Sequence, residues 1–339
     1  MTEDTMMAAV ALSANAPLSV KNVPKPALSA GQVMVRVRAS AINPLDTKVL
    51  AAEAAHARQP LPAILGIDLA GVVEAVGADV TGFRRGDEVY GMTGGVAGVQ
   101  GSLAEFASVD ADLLAPMPSN LSMREAAALP LIFITAWEGL VDRAAVKHGH
   151  KVLIHGGAGG VGHVAIQIAK ARGAQVFATG SARSLDYIRS LGATAIDYEM
   201  ENVDSYVSKY TDGLGFDIVY DTSGGATLDA SFLAVRRFGH VVSCLGWGTH
   251  ALAPLSFRAA TYSGVFALLP LLTGLGRKQH GLILREATRL AESGNIVPRV
   301  DPRRFYLDTV DEAHRILKSG EASGKLVVDI TGSGSRSVD

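Results

Sequence analysis

The sequence predicts an α/β protein with a doubly wound parallel sheet in the middle of the chain and a β-rich part around it. Residues 151–171, KVLIHGGAGGVGHVAIQIAKA, run from an apolar strand through a glycine-rich turn into an amphipathic helix. Downstream, buried-strand patterns alternate with helical patterns, which is typical of βαβ units in a parallel sheet. The first 120 residues and the tail contain short β segments instead. These three observations together predict two domains of different architecture.

The β-rich part begins with a half-buried strand. In residues 32–39 valine occupies every second position, the period of a strand with one buried face. Two segments bounded by glycine, 68–80 and 86–92, continue this pattern, and Pro116 and Pro118 mark a plausible exit from the domain.

The glycine turn has the spacing of a phosphate cradle. Gly157, Gly159 and Gly162 fit G-x-G-x-x-G: the first would permit a tight turn, the second a close approach to phosphate, and the third close helix–strand packing. A helix starting near Gly160 would direct its unpaired N–H groups at an anion. Because 37 glycines occur in 339 residues, a turn that only packs is the alternative. The flanking strand and helix favour a dinucleotide.

The alternation after the turn predicts the rest of this domain. Its further strands are expected at 175–179, 194–197, 216–221 and 240–246. Its helices are expected at 163–172, 184–192, near 202–210 and near 225–236.

The tail returns to the β-rich style. It contains a segment at 303–307, a helix from Val310 to about Lys318 and a strand from Lys325 to Ile330. We therefore expect a discontinuous domain of residues 1–121 and 299–339, with the nucleotide-binding domain at 122–298.

Composition narrows the function classes. A formal net charge of −2 argues against a nucleic-acid partner, and 48% hydrophobic residues support a well-buried enzyme. The acidic start lacks the pattern of a secretory signal, and the apolar run at 261–275 is too short and broken to span a bilayer. One cysteine excludes an internal disulfide. We expect a cytoplasmic protein with no membrane partner.

Seven motifs follow one another along nearly the whole chain. They are INPLDTK at 42–48, LGIDLAGVVEAVG at 65–77, GDEVYG at 86–91, AALPLIFITAWEGL at 127–140, the glycine turn, DTSGG at 221–225 and SGKLVV at 323–328. Their order resembles the medium-chain dehydrogenase/reductase superfamily, in particular its zinc-independent quinone oxidoreductase and zeta-crystallin-like branch. The resemblance implies a β-rich GroES-like catalytic domain beside a Rossmann domain.

Whether this chain is expected to bind a metal depends on residues at which its sequence differs from the zinc members of that superfamily. Where they read Gly-His-Glu, this chain reads Gly66, Ile67 and Asp68, and Cys244 is its only cysteine. A zinc site needs three or four N, S or O ligands within reach, and isoleucine supplies none. We predict no metal.

The choice of cofactor depends on the end of the second strand of the nucleotide-binding domain. NAD enzymes place an acid there for the ribose 2′-hydroxyl, whereas this chain has Gly180, Ser181 and Arg183. Ser181 and Arg183 suit a 2′-phosphate, so we predict NADPH. A solvated Arg183 at a helix start is the alternative. In relatives a ring or polar tip packs near the adenosine phosphate at the position of Tyr198.

The resemblance also implies the residues around the cofactor. In addition to those above they are Asn43, Lys48, Thr135, Gly157, Ala158, Gly159, Gly160, Val161, Ser223, Leu245, Gly246, Trp247, Gly264, Val265 and Lys325. Asn43 could instead be a turn residue, Thr135 could cap its helix, and Lys325 could be solvated.

Lys48 and Asn43 are the predicted catalytic residues. Several relatives carry tyrosine at the position of Lys48, five residues after Asn43, where it touches nicotinamide or donates a proton. A desolvated lysine could do either, whereas one that extends into water would do neither.

We expect a zinc-independent, NADPH-dependent hydride transfer to a quinone or an α,β-unsaturated carbonyl, in a homodimer. The alternatives are a zinc alcohol dehydrogenase and a crystallin-like protein that binds NADPH without turnover.

Overall fold

The computed structural model describes residues 5–330. The chain forms two compact units, Met1–Leu131 with Leu268–Asp339, and Ile132–Ala267. Within the described range the strands are β1 (Thr5–Ala11), β2 (Ser19–Pro24), β3 (Gln32–Ala41), β4 (Ala63–Ile64), β5 (Asp68–Val76), β6 (Glu88–Met92), β7 (Phe106–Asp110), β8 (Leu114–Pro116), β9 (Lys151–His155), β10 (Gln175–Gly180), β11 (Thr194–Asp197), β12 (Phe216–Asp221), β13 (Val235–Ser243), β14 (Thr261–Gly264), β15 (Phe305–Tyr306) and β16 (Val327–Asp329).

Helices connect these strands. The α-helices of the same range are α1 (Pro44–Leu50), α2 (Met123–Ala127), α3 (Pro130–Trp137), α4 (Gly160–Ala171), α5 (Leu185–Ser190), α6 (Val203–Thr211), α7 (Ala226–Ala234), α8 (Ala253–Ser256), α9 (Leu269–Thr273), α10 (Arg277–Glu292) and α11 (Val310–Ser319). Short 3₁₀ turns are formed by Ala55–Ala57, Ala111–Leu113, Ala182–Ser184 and Leu307–Thr309, and a π-helix by Glu138–Arg143.

The first unit is built on two sheets. One has the order β15-β16-β3-β5-β6-β8, with β7 also pairing with β3, and the other has the order β2-β1-β4. Val33, Val35 and Val37 of β3 are fully buried, which confirms the predicted alternation. Strand β16 pairs antiparallel with β3, with Val328 opposite Ser40, so the tail returns to the N-terminal sheet as expected.

Helix α10 also belongs to the first unit. Gly281 lets the helix approach the carbonyl of Asp112, because a Cβ there would lie 2.6 Å from that oxygen. The Tyr90 hydroxyl donates to the Leu284 carbonyl at 2.7 Å. Residues 122–131 and 268–298, which the sequence assigned to the nucleotide-binding domain, belong to the first unit instead.

The second unit is a doubly wound parallel sheet with the order β11-β10-β9-β12-β13-β14. The predicted strands and the start of α4 at Gly160 agree with it. Two differences stand out: the sequence did not predict β14 (Thr261–Gly264), and β13 begins at Val235 rather than at 240. A register irregularity lets Val235 pair with Phe216, and Phe238 has a φ of 58°, so the early part of this strand lacks a regular pattern.

Candidate functional site

Most of the predicted cofactor residues follow the carboxyl ends of the parallel strands in the second unit. This edge of an open α/β sheet is where ligands bind. The glycine turn follows β9, Ser181 and Arg183 follow β10, and Tyr198 follows β11. Ser223 follows β12, and Leu245, Gly246 and Trp247 follow β13. Gly264 is the last residue of β14, and Val265 comes directly after it. The fold thus brings together, on one edge, residues that are scattered in sequence.

The glycine turn differs in one detail from the sequence prediction. Gly156, not Gly157, takes the left-handed conformation, with a φ of 72°. Gly157 is required for packing instead, because a Cβ there would lie 2.7 Å from that of Ala178. A Cβ on Gly162 would collide with the Gly156 carbonyl, so this glycine allows α4 to start close to the turn.

The start of α4 suits an anion. The first intrahelical bond is donated by His163 N to Gly159 O at 3.0 Å, so the N–H groups of Gly160, Val161 and Gly162 precede the helical ladder. Gly159 and Gly160 are exposed, and within residues 5–330 no side chain caps this helix end. The residues present therefore fit a dinucleotide pyrophosphate, bound by backbone N–H groups and the helix dipole.

The segment after β10 offers a positive charge and hydroxyl groups at the carboxyl end of the sheet. Arg183 is exposed and makes no ion pair with the carboxylates of residues 5–330. The nearest acid along the chain, Asp186, is paired with Arg189 at 2.7 Å. Tyr198 is 57% exposed, and its N–H donates to the Gly180 carbonyl at 3.3 Å. This surface fits a ribose carrying a 2′-phosphate.

Three other predicted residues are fixed by neighbouring groups of the second unit. The Thr135 carbonyl accepts from the buried Tyr220 hydroxyl at 2.7 Å. The Trp247 ring lies edge-on to Phe266, with ring centroids 6.2 Å apart. The N–H of Val265 donates to the Ser243 carbonyl at 2.9 Å. Their cofactor contacts stay predictions.

In the first unit, Asn43 and Lys325 meet inside a buried polar cluster. Asn43 is 1% exposed, and its amide donates to Asp68 at 2.9 Å and accepts from the Lys325 ammonium. Lys325 also donates to the Ile42 carbonyl at 2.9 Å. The backbone N–H of Asn43 donates to Asp46 at 2.8 Å, which closes the N-terminus of α1. Both ends of the Asn43 amide are therefore already bonded within the protein.

Burial controls the charge of this cluster. It raises the pKa of Asp46 from 3.8 to about 7 and that of Asp68 from 3.8 to about 6, while Lys325 and hydrogen bonds act in the opposite direction. Burial lowers the pKa of Lys325, and the two carboxylates oppose that change. The ammonium and the acids therefore stabilise one another's charged forms in a site with little water.

Lys48 lies apart from the cluster. It occupies the last turn of α1, and its side chain is exposed, whereas Asp46 on the same helix points into the cluster and bonds Asn43. The catalytic role predicted for Lys48 stays a prediction.

Sequence reasoning gave no site role to Asp68. It is fully buried, and besides the Asn43 amide it accepts from Leu131 N at 2.9 Å. Its position in the sequence was a signal for such a role, since Asp68 stands where zinc members of the superfamily have the glutamate of the Gly-His-Glu triplet.

Comparison with known proteins identifies the family. Residues 29–119 match the alcohol dehydrogenase GroES-like domain, and residues 160–268 match the zinc-binding dehydrogenase family. The crystal structure of an alcohol dehydrogenase superfamily protein from Novosphingobium aromaticivorans is similar with a TM-score of 0.94 and 56% identity, covering 96% of this chain and 100% of that one.

Two named enzymes are similar over the same length. A 2-methylene-furan-3-one reductase of Solanum lycopersicum is 38% identical over 315 residues, which is 91% of this chain and 74% of the relative. The chloroplastic NADPH-dependent alkenal/one oxidoreductase of Arabidopsis thaliana is 37% identical, with the same coverage of both chains. The chain belongs to the medium-chain dehydrogenase/reductase superfamily.

Within this superfamily the chain belongs to the zinc-independent branch. Ile67, where zinc members have histidine, is a fully buried apolar side chain, and Asp68 is engaged by Asn43 and Leu131. Among residues 5–330 no group of three or more His, Cys, Asp or Glu side chains is arranged to hold a metal ion. The donor set at this position does not fit catalytic zinc.

No helix in the described part of the chain is long and apolar enough to cross a membrane.

Proposed function

We propose that this chain is an NADPH-dependent oxidoreductase that reduces the carbon–carbon double bond of an α,β-unsaturated aldehyde or ketone. The observation that carries the proposal is the pair of relatives, 37% and 38% identical over 91% of this chain, whose names specify an alkenal/one oxidoreductase and a 2-methylene-furan-3-one reductase. Bound NADPH supplies a hydride, and transfer to a β-carbon requires no metal. A quinone is the second acceptor class, as the sequence predicted.

The chain's own residues support NADPH over NADH. The start of α4 offers backbone donors to the pyrophosphate, and the segment after β10 offers Ser181 and Arg183 where NAD enzymes place an acid. An arginine suits phosphate because its planar fork can donate two parallel hydrogen bonds.

Three substrates test the reaction. Purified protein is given NADPH with 2-cyclohexen-1-one, NADPH with 1,4-benzoquinone, or NADP⁺ with 2-cyclohexen-1-ol. We expect the saturated ketone from the enone and no oxidation of the alcohol. Chelator-sensitive alcohol oxidation would favour a zinc alcohol dehydrogenase instead. Tight NADPH binding with neither acceptor reduced would favour a non-catalytic binding protein.

A matched pair of arginine variants tests the cofactor assignment. Arg183→Ala should raise the dissociation constant of NADPH about 10- to 100-fold and leave that of NADH nearly unchanged, because one or two charge-assisted hydrogen bonds to the 2′-phosphate are lost. Arg189→Ala is the control, since this arginine is on the next helix and already pairs with Asp186. Equal losses for NADPH and NADH in Arg183→Ala would contradict the assignment.

The proposal extends to a homodimer located in the cytoplasm, both predicted from the sequence. Support for the dimer comes from β14, which is the last strand in the sheet order and has largely exposed residues. An edge strand with free backbone groups can pair with another copy of itself. Light scattering during gel filtration should give twice the mass of the chain, and a monomeric mass at micromolar concentration would count against the dimer. Microscopy of a tagged chain in its own cell tests the location.

A further inference from the structure

A row of polar side chains crosses the parallel sheet of the second unit at its carboxyl edge. Thr179, His155, Asp221 and Ser243 come from β10, β9, β12 and β13, which are neighbours in the sheet. Asp221 is in register with both His155 and Ser243, and the Thr179 hydroxyl lies 3.1 Å from Nδ1 of His155. All four are at most 3% exposed.

The row terminates the hydrophobic core on one face of the sheet. Two residues earlier in each strand stand Phe177, Leu153, Val219 and Val241, which are members of one buried apolar cluster. Side chains two positions apart in a strand point to the same face, so the polar row is the next layer of that face. Burying polar side chains in such a layer costs free energy unless they are hydrogen-bonded.

Each hydroxyl or carboxylate of the row binds the backbone of a loop. The Thr179 hydroxyl accepts from Gly156 N at 3.3 Å. Asp221 accepts from the N–H groups of Ser223 and Gly224 at 3.1 and 3.0 Å. The Ser243 hydroxyl accepts from Leu245 N at 3.0 Å.

The row also connects neighbouring strands. The Ser243 hydroxyl donates to Asp221 at 2.7 Å, and the Thr222 hydroxyl donates to the His155 carbonyl at 2.7 Å. Burial lowers the pKa of His155 to about 4, so its ring is neutral at pH 7. The loops after β9, β12 and β13 are thus held by one set of buried groups.

We propose that Thr179, Asp221 and Ser243 are positioning residues for the cofactor, which hold the three loops in their binding geometry from beneath. This inference rests on the proposed NADPH binding and adds to it. The side chains are buried, so they act through the loop backbone rather than by touching the cofactor. Preorganised loops bind more tightly because less ordering is required on binding.

Thr179 offers the sharpest test. Thr179→Val keeps the shape but removes the hydroxyl that accepts from Gly156 N, and Thr179→Ser keeps the hydroxyl. Thr211→Val is the matched control, because the Thr211 hydroxyl likewise accepts from a glycine, Gly215 N at 2.9 Å, and is buried in the same unit. Gly215 precedes the amino end of β12, the opposite edge of the sheet.

Two readouts are measured for each variant, the dissociation constant of NADPH and the backbone hydrogen exchange of the glycine turn without cofactor. Thr179→Val should weaken NADPH and NADH alike by about tenfold and speed exchange in residues 156–160. Thr179→Ser should restore both values. Thr211→Val should lower the melting temperature without changing NADPH affinity.

Ser243→Ala is a second variant, and it should weaken NADPH and speed exchange in the loop after β13. Wild-type affinity and exchange in Thr179→Val and Ser243→Ala would overturn the inference. Equal weakening of NADPH by Thr211→Val would overturn it too, since general loss of stability would then explain the effect. A wild-type protein that does not bind NADPH would refute the proposed function, whereas wild-type binding with unaltered variants would refute this inference alone.

Discussion

Replacing Lys325 with methionine should destabilise the first unit, and more strongly at pH 8 than at pH 5. Lys325 is 7% exposed, and its ammonium donates to the Ile42 carbonyl and to Asn43 and interacts with the buried Asp46 and Asp68. Methionine keeps the apolar stem but removes the charge and its donors. Removing one partner of a buried ion pair costs about 3–5 kcal/mol, because the remaining charge stays buried without compensation.

The pH dependence follows from the two carboxyls. Their folded-state pKa values, about 7 for Asp46 and about 6 for Asp68, lie above the ordinary value of 3.8. They therefore contribute stability that is fully present below pH 3.8 and is lost as the pH rises through 6 and 7. At pH 5 both are mostly protonated, so Lys325→Met removes chiefly two hydrogen bonds, about 1–2 kcal/mol. At pH 8 both carboxyls are mostly ionised and have the ammonium as their charged partner, so Lys325→Met should cost the full amount of about 3–5 kcal/mol.

Urea unfolding followed by far-UV circular dichroism at both pH values measures the effect. Circular dichroism is used because it follows the first unit directly, whereas Trp137 and Trp247 both lie in the second unit. Lys151→Met is the control, because among the described residues this ammonium donates only to the Tyr210 carbonyl, at 2.8 Å, and we expect an equal loss at both pH values. A Lys325→Met loss that is equal at both pH values, or larger at pH 5, would refute the reasoning.

Three further predictions concern other parts of the chain. Gly162→Ala should weaken NADPH about 10- to 100-fold, because the new Cβ meets the Gly156 carbonyl; a wild-type dissociation constant would contradict this. Burial lowers the folded-state pKa of His314 from 6.5 to about 4, so this side chain should cost about 3 kcal/mol of stability as the pH falls from 6.5 to 4. His314→Leu should be correspondingly less sensitive to acid, and an unchanged acid transition would argue against it. Tyr220→Phe should cost about 1–2 kcal/mol in unfolding followed by tryptophan fluorescence, through the lost bond to the Thr135 carbonyl; an unchanged stability would count against that bond.

The sequence predicted the second unit well because its signals are local. The glycine turn, the helix start at Gly160 and the apolar strands each depend on residues close in sequence. The spacing did not reveal that Gly156 rather than Gly157 takes the positive φ, since both are glycine and three-dimensional packing against Ala178 decides between them. The irregular start of β13 at Val235 was missed for the same reason.

The buried cluster of the first unit shows what a single sequence lacks. Asn43 and Lys325 were predicted separately as cofactor residues, but their bond joins positions 282 apart and follows no period. The polar row of the second unit did leave a trace, because His155, Asp221 and Ser243 are polar residues that end apolar strands. These polar residues at strand ends can be recognised as one row only when the order of the strands in the sheet is known.

Hydride transfer from NADPH with deuterium at both C4 positions tests the central claim most directly. With 2-cyclohexen-1-one as acceptor, the product is analysed by mass spectrometry and NMR. We expect cyclohexanone with one deuterium on the former β-carbon, formed at the same rate with and without a chelator. Deuterium on the carbonyl carbon of an allylic alcohol, or a reaction that stops when metal is removed, would contradict a zinc-independent enone reductase.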